Sequence, residues 1–418
     1  MKDAYSFHAD ATDFKIEYDK MAEAYTRIFE RVGLQTQMVA ADNGYIGGEY
    51  CHEFQVEHPE GEGRYFVSED GSYAAHEDVA QFQLEQVNPD EEIRDFEIID
   101  QPAWVKTMDD NIKHYGKDKR FFLKNVVYKT AQGDIIIVTI RGDLDVNQTK
   151  LEQVVSLVGQ LENADETDLA AIGTKTGYVH SWGHSFIEPR KAKTEDRECK
   201  VIYVADNSLK TVKNFIGGQK EDTSDSINVN YGRDFKHEIE TDVAMAQAGF
   251  TTTNGLGSLQ EKRGIEVGNI FQLGYHYSEK MQNATFVDAE GSNRPYYMGC
   301  YGIGLGRTLA TIIEKYHDDR GIIWPKSVAP YQVHLVSLKG GEEQAQNVYT
   351  QLLENGIEVL WDDREESAGT KFADADLIGL PVRLVVSKKT QDNVEYKERT
   401  SSESELLSFE ALLEKLRA

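Results

Sequence analysis

The ten residues Met298-Gly-Cys-Tyr-Gly-Ile-Gly-Leu-Gly-Arg307 place glycines at 299, 302, 304 and 306 and end on an arginine. Main chain without a side-chain shield lets a flat or anionic ligand touch the backbone. The arginine falls where a helix begins, and a helix start is an anion-binding end. Its guanidinium cannot lose its charge and meets oxygen pairs in a fork. Glycine-rich loops also mark ordinary turns and close packing, so the loop alone decides nothing. Just upstream, Arg263-Gly-Ile-Glu-Val-Gly-Asn-Ile-Phe-Gln-Leu-Gly-Tyr-His-Tyr-Ser278 reads as an extended segment with a carboxylate at Glu266 and an amide at Gln272.

The elements that must hold these groups show in the periodicity. Phe14, Tyr18, Met21, Tyr25, Ile28, Phe29 and Val32 recur at three- and four-residue steps, which predicts a helix over 12–32 with Thr12 as N-cap and Gly33 as stop. Strands are expected at 35–41, from 52 and from 65, and a short helix at 73–79. The polar run from Gln86 to Asp95 reads as a linker. Beyond it come a helix over 104–115, a hairpin of 125–129 with 135–140, helices over 149–159 and 166–172, a strand at 201–204, a helix over 208–215 and a strand at 227–231. From Phe250 to Trp324 the glycine-rich style of the first part returns, with a helix over 309–316, so the middle reads as an insertion. After Pro325, strands alternate with helices, ending in a helix over 405–416 capped by Ser404, which argues for an open mixed sheet.

The 418 residues suffice for about two to four domains. No run of about 18 apolar residues exists, and the N-terminus lacks a signal-peptide core. Three scattered cysteines point to a reducing cytosol, and no cysteine spacing fits a metal. A net charge of −27 is awkward for an RNA-binding protein, although a local basic face suffices for that task.

With their neighbours, the Met298–Arg307 and Arg263–Ser278 segments resemble the last active-site strands of a class II aminoacyl-tRNA synthetase, the bacterial type of prolyl-tRNA synthetase. That family's motif 3 is similar to Met-Gly-Cys-Tyr-Gly-Ile-Gly-x-x-Arg. The order of parts matches along nearly the whole chain. Residues 1–94 resemble the catalytic domain after motif 2, and 95–232 an inserted editing domain. Residues 233–325 resemble the motif 3 part of the core. Residues 326–418 resemble the anticodon-binding domain, carried by Asp362-Asp-Arg-Glu-Glu-Ser-Ala-Gly-Thr-Lys-Phe-Ala-Asp-Ala-Asp-Leu-Ile-Gly-Leu-Pro381. The resemblance implies an α+β multidomain chain. It would have an incomplete class II antiparallel catalytic sheet, an inserted α/β editing domain and a C-terminal α/β anticodon domain. Family members carry motif 1 and most of motif 2 ahead of a Met-Lys-Asp-x-Tyr-Ser-Phe-His segment, so the chain is expected to be N-terminally truncated and unable by itself to form prolyl-adenylate.

The resemblance also implies roles. Arg307 would meet the ATP γ-phosphate or the adenine. Glu266 and Gln272 would hold metal or ribose and the nucleotide amides, while Gly302, Gly304, Gly306 and Cys300 would border ATP. Phe7, His52, Glu53 and Phe54 would shape the proline pocket. Lys124, Arg141, Asp143, Asn147, Lys150, Gly173 and Gly177 would build the editing site, which hydrolyses mischarged alanyl-tRNA as a second sieve. Arg364, Lys371, Lys397 and Arg399 would contact the anticodon. The family uses ATP and Mg²⁺, with proline and the proline tRNA as partners, and works as a cytoplasmic homodimer, with neither membrane nor DNA. Three departures stand out: Asn269 and Tyr275 replace a histidine and a threonine, and no histidine lies near Asp225 where the family has a selective one. Alternatives are a tRNA-binding deacylase and an inactive gene fragment.

Overall fold

A computed structural model describes residues 1–157, 159–194, 196–218 and 223–417. The chain divides into two compact units: Met1–Met38 with Cys51–Glu62 and Arg263–Ala418, and Val39–Tyr50 with Gly63–Lys262.

In the first unit the strands Lys2–His8 and Tyr297–Ile303, residues 263–274 of the strand Leu259–Gly274 and residues 51–57 of the strand Tyr50–Glu57 lie side by side in that order. The first two pairings are antiparallel, with rows Asp3–Gly302–Asn269 and Tyr5–Cys300–Phe271 running across three strands. The helix Ala11–Arg31 covers one face. Its Phe14, Tyr18, Tyr25 and Phe29 bury against Phe54, Ile270, Tyr301 and Ile303. Gly299 lies on that packed face, where a Cβ would come within 2.6 Å of the Phe14 ring and 2.8 Å of the Ser6 hydroxyl. That glycine is needed for the helix to pack so closely. The helix is capped by Asp10, not Thr12, because the shorter-range carboxylate accepts from both Thr12 N and Asp13 N.

The same unit contains a five-stranded mixed sheet in the order Val359–Asp362, Val333–Ser337, Val382–Val386, Val394–Glu398, Glu405–Leu407. Its first two pairings are parallel and its last two antiparallel. The expected terminal helix over 405–416 is split. Glu405–Leu407 pairs as an edge strand, and the helix Phe409–Arg417 starts where the Ser408 hydroxyl accepts from Ala411 N.

The second unit contains a five-stranded sheet in the order Ile239–Thr241, Val201–Asp206, Ile135–Arg141, Leu123–Thr130, Leu161–Asn163, and a three-stranded sheet of Phe215–Gly218, Ser224–Val229 and Glu97–Asp100. Three expectations fail locally. Residues 73–79 hold a strand, Ala74–His76, paired with Gly63–Ser68. The helix expected over 208–215 is only a tight turn, Asn207–Thr211. Asp206 caps it through Ser208 N, and Asn214 at φ +62° turns the chain into the next strand. The helix expected from Trp104 begins at Met108, because Thr107 and Asp110 close a capping box there.

Candidate active site

The strand Tyr297–Ile303 delivers its chain directly into the helix Leu305–Lys315 through Gly304, whose N–H donates to Val267 O at 3.1 Å. No side chain caps this helix. Its first turn therefore keeps its outward N–H groups and its partial positive charge for whatever approaches. Arg307 sits in that turn. Its guanidinium donates to Glu266 Oε2 at 2.6 Å and to Glu266 O at 3.2 Å, and its side chain is 53% exposed. Such an exposed pair is worth about 0–1 kcal/mol, so an arriving phosphate can take the guanidinium over. Asn269 donates to the other oxygen of Glu266 at 3.0 Å, so Glu266 is held between an amide and a cation.

A Cβ added at Gly302 or Gly304 would meet nothing closer than 3.5 Å, and one at Gly306 nothing within 4 Å. These three glycines do not relieve crowding inside the protein; they leave main chain bare beside Arg307. Cys300 lies between Tyr5 and Phe271 on the face away from the helix. Burial raises its thiol pKa above the ordinary value, so it is a neutral neighbour and no nucleophile. Gln272 stands apart. It lies six residues beyond Glu266, roughly 20 Å along an extended strand, and donates to the Tyr297 hydroxyl at 2.5 Å. The structure brings Glu266 and Arg307 together but does not join Gln272 to them.

The four residues expected to shape one pocket lie on opposite faces of the sheet. Ser6 bonds Tyr301 on the helix-packed side, so Phe7 points the other way, where it is exposed and meets Tyr296 edge-on at 5.7 Å. Phe54 is fully buried beside Tyr25 and Phe29. His52 faces the same helix and bonds the Tyr18 hydroxyl at 2.9 Å; burial, its main cause, lowers its pKa to about 4. Glu53 accepts from the Gln55 amide. Strand alternation forbids Phe7 and Phe54 from lining one cavity. Tyr275 stacks edge-on against Tyr297 at 5.0 Å in the helix-side core.

In the second unit, the segment Arg141–Lys150 is a structural brace. Arg141 is buried and forks onto Asp143 at 2.6 and 3.0 Å, with a third bond to Thr211. Asn147 caps the helix Gln148–Val154, and Lys150 is buried, donating to Asp242 and to Ala244 O at 2.9 Å each. Lys124 donates to Leu144 O and pairs with Asp145 at 2.5 Å. The cavity lies on the other face of the strand Leu123–Thr130. About 200 Å³ in volume, it is lined by Leu123, Asn125, Gln101, Asn111, Gly177 and Asp225, among others. Of the residues expected there, only Gly177, at φ +85°, borders it. Gly173, at φ +75°, ends the helix before that loop. Asp225 is buried, and the Gln101 amide and Tyr115 hydroxyl both donate to its Oδ2 at 2.5 Å. Sequence reasoning missed Gln101, Asn111, Tyr115 and Asn125. They meet Asp225 or its cavity from positions about a hundred residues away, and nothing local marks them.

Asn125 connects inward. Its amide oxygen accepts from Thr139 Oγ1, which bonds His237 Nε2 at 2.9 Å. Burial lowers the His237 pKa from 6.5 to about 4. The unfolded chain therefore binds this proton first, and the stability His237 confers, complete above pH 6.5, is lost as pH falls towards 4. Asp225, raised to about 6, acts with the opposite sign below that value. His237→Gln is expected to flatten the fall of the melting temperature between pH 6.5 and 4; an unchanged slope would remove His237 as its source.

Residues 1–316 match the family described as the tRNA synthetase class II core domain (G, H, P, S and T), and residues 332–418 match the anticodon binding domain. The whole chain aligns at 39% identity with 72% of a proline–tRNA ligase of Bacillus pumilus. It aligns at 38% with 71% of one from Dehalococcoides mccartyi, and 99% of it aligns at 39% with 71% of one from Bacillus subtilis. The chain belongs to the proline–tRNA ligase family. These matches lend no support to the expectation of an inactive fragment, since the relatives aligned along the full chain carry the ligase name. It is an aminoacyl-tRNA synthetase of the class II, α+β multidomain kind. Among the described residues no helix is long and apolar enough to cross a membrane.

The anticodon domain of this ligase-family chain sorts its four expected cations into two kinds. Arg364 is half-exposed, gripped by Asp362 at 2.8 and 2.9 Å and Asp374 at 2.7 Å, and lines a cavity of about 500 Å³ with His334 and Trp361. Lys397 is half-buried opposite Arg383 in the ladder. Lys371 is instead fully packed, donating to Ser337 O at 2.8 Å and Asp362 O at 3.0 Å. Arg399 is buried on Asp318 at 2.6 and 3.0 Å and on the Asp376 and Gly321 carbonyls, so it ties this domain to the hairpin His317–Ile322. Both Lys371 and Arg399 are buried with these donors turned into the protein, away from any base at the surface. Ser367 caps the helix Ala368–Ile378 through Thr370 N.

Proposed function

We propose that the chain activates proline with ATP and transfers it to the proline tRNA, and that the inserted part hydrolyses mischarged alanyl-tRNA. Arg307, offered at an uncapped helix start beside bare main chain, carries the nucleotide part of the reading. In activation a proline carboxylate oxygen attacks the α-phosphorus and pyrophosphate leaves. Little of this is covalent work for the protein, which aligns the reactants and stabilises charge. The helix start and Arg307 would take the polyphosphate, and Glu266 and Asn269 would orient the guanidinium until it does.

Magnesium fits this arrangement as a passenger of the nucleotide. Among the described residues no group of three or more His, Cys, Asp or Glu could hold a metal. Magnesium often binds through one or two carboxylates plus substrate phosphates, and Glu266 is the carboxylate available beside Arg307. The bound ion would draw charge from the phosphates. Arg364 and Lys397 are the cations we assign to the anticodon. A four-part division at 94, 232 and 325, a cytoplasmic location and a homodimer complete the reading. Proline-dependent exchange of pyrophosphate into ATP tests it. Exchange no higher with proline than without it would overturn the ligase reading.

A further inference from the structure

The cavity that borders Asn125 and Gly177 holds a carboxylate that lacks a counter-ion. Asp225 is only 4% exposed. Its two hydrogen bonds come from neutral donors, Gln101 and Tyr115, and both go to Oδ2. Among the described residues no ion pair reaches it. Lys106 lines the same cavity yet forms no bond with Asp225, and the other titratable groups near it are His114 and Tyr115 of the helix Met108–Tyr115; Asp100 on the neighbouring strand pairs with Ser224 and so points to the opposite face. A buried carboxylate without a cation is unfavourable, and such a group either takes up a proton or awaits a positive partner.

We infer that Asp225 receives the ammonium group of a small α-amino-acyl substrate, so that the cavity selects by charge as well as by size. This rests on the editing reading above. The other walls suit that ligand. Asn111 and Asn125 each have one amide N–H beyond those given to Thr107 O and Val179 O that an ester carbonyl could take, and Val105, Leu123 and Ile216 give a short apolar side chain a wall. The volume, about 200 Å³, lies below the roughly 300–1,000 Å³ of drug-sized sites, which leaves room for a small acyl group and little more. An ammonium brought here supplies the missing charge and favours the ionised carboxylate. Binding then weakens as pH falls through about 6, where Asp225 takes up its proton.

The probe is L-alaninamide, which carries the ammonium and a neutral acyl carbon; L-lactamide is the match without charge. Ligand-observed NMR on the full chain at pH 7 is expected to show alaninamide binding at least tenfold tighter than lactamide. Asp225→Asn keeps the Tyr115 bond and the shape, and is expected to erase that tenfold preference without lowering the melting temperature. Equal binding of the two amides, no alaninamide binding, or an unchanged preference in Asp225→Asn would each overturn the inference. Alanine release from mischarged tRNA separates the two readings. Release without an Asp225-dependent preference sinks the ammonium site alone, and the preference without release sinks the editing reading alone.

Discussion

Arg307→Ala is expected to lower proline-dependent pyrophosphate exchange by about 10²–10³-fold, the usual loss when one charge-stabilising donor is removed from a reacting site. The melting temperature should move by no more than about 2 °C, because the pair with Glu266 is exposed and contributes little to folding. The separation of the two readouts carries the argument. A residue that held the fold would lose both together, whereas in the proposed role this guanidinium would leave Glu266 for the arriving phosphate. Arg307→Lys should recover little, since an ammonium lacks the fork that meets two phosphate oxygens. Exchange kinetics and thermal unfolding on the same preparations decide it. Activity within threefold of the parent would leave the helix start without its proposed role.

How much of this was legible in the sequence depended on distance along the chain. The glycine loop and Arg307 were readable because everything they need lies within ten residues: bare backbone, then a helix start. The long first helix was equally plain, since its apolar stripe is long and regular. Motif matching failed in a different way. It put Phe54, His52 and Phe7 into one pocket because they are few and suggestive, yet strand parity separates them, and parity depends on which face the helix covers. Likewise Lys124 was assigned to the cavity, but Asn125, one residue on, is what faces it. Lys371 and Arg399 read as surface cations, since most lysines and arginines are. Their burial follows from carbonyls and a carboxylate supplied by remote segments, which no local pattern announces. The Asp225 cluster is the extreme case, assembled across 110 and 124 residues of chain.

Phe54→Ala turns the question of parity into a measurement. The ring is fully buried, with Tyr25 and Phe29 each 5.6 Å away between centroids. Removing it takes apolar area from the core and leaves a cavity that the flanking helix and strand can only partly close, a loss of about 3–5 kcal/mol. At roughly 2–4 °C per kcal/mol for a body of this size, the melting temperature should fall by about 10 °C. The exposed Phe7 gives the contrast, because truncating a half-covered surface ring should change stability by well under 1 kcal/mol. If Phe54 belongs to the core alone, Phe54→Ala assayed well below its own unfolding transition keeps the parent KM for proline. A raised KM at a temperature where the variant is fully folded would place the ring in the substrate pocket after all, and the face assignment of the strand Tyr50–Glu57 would have to be reversed.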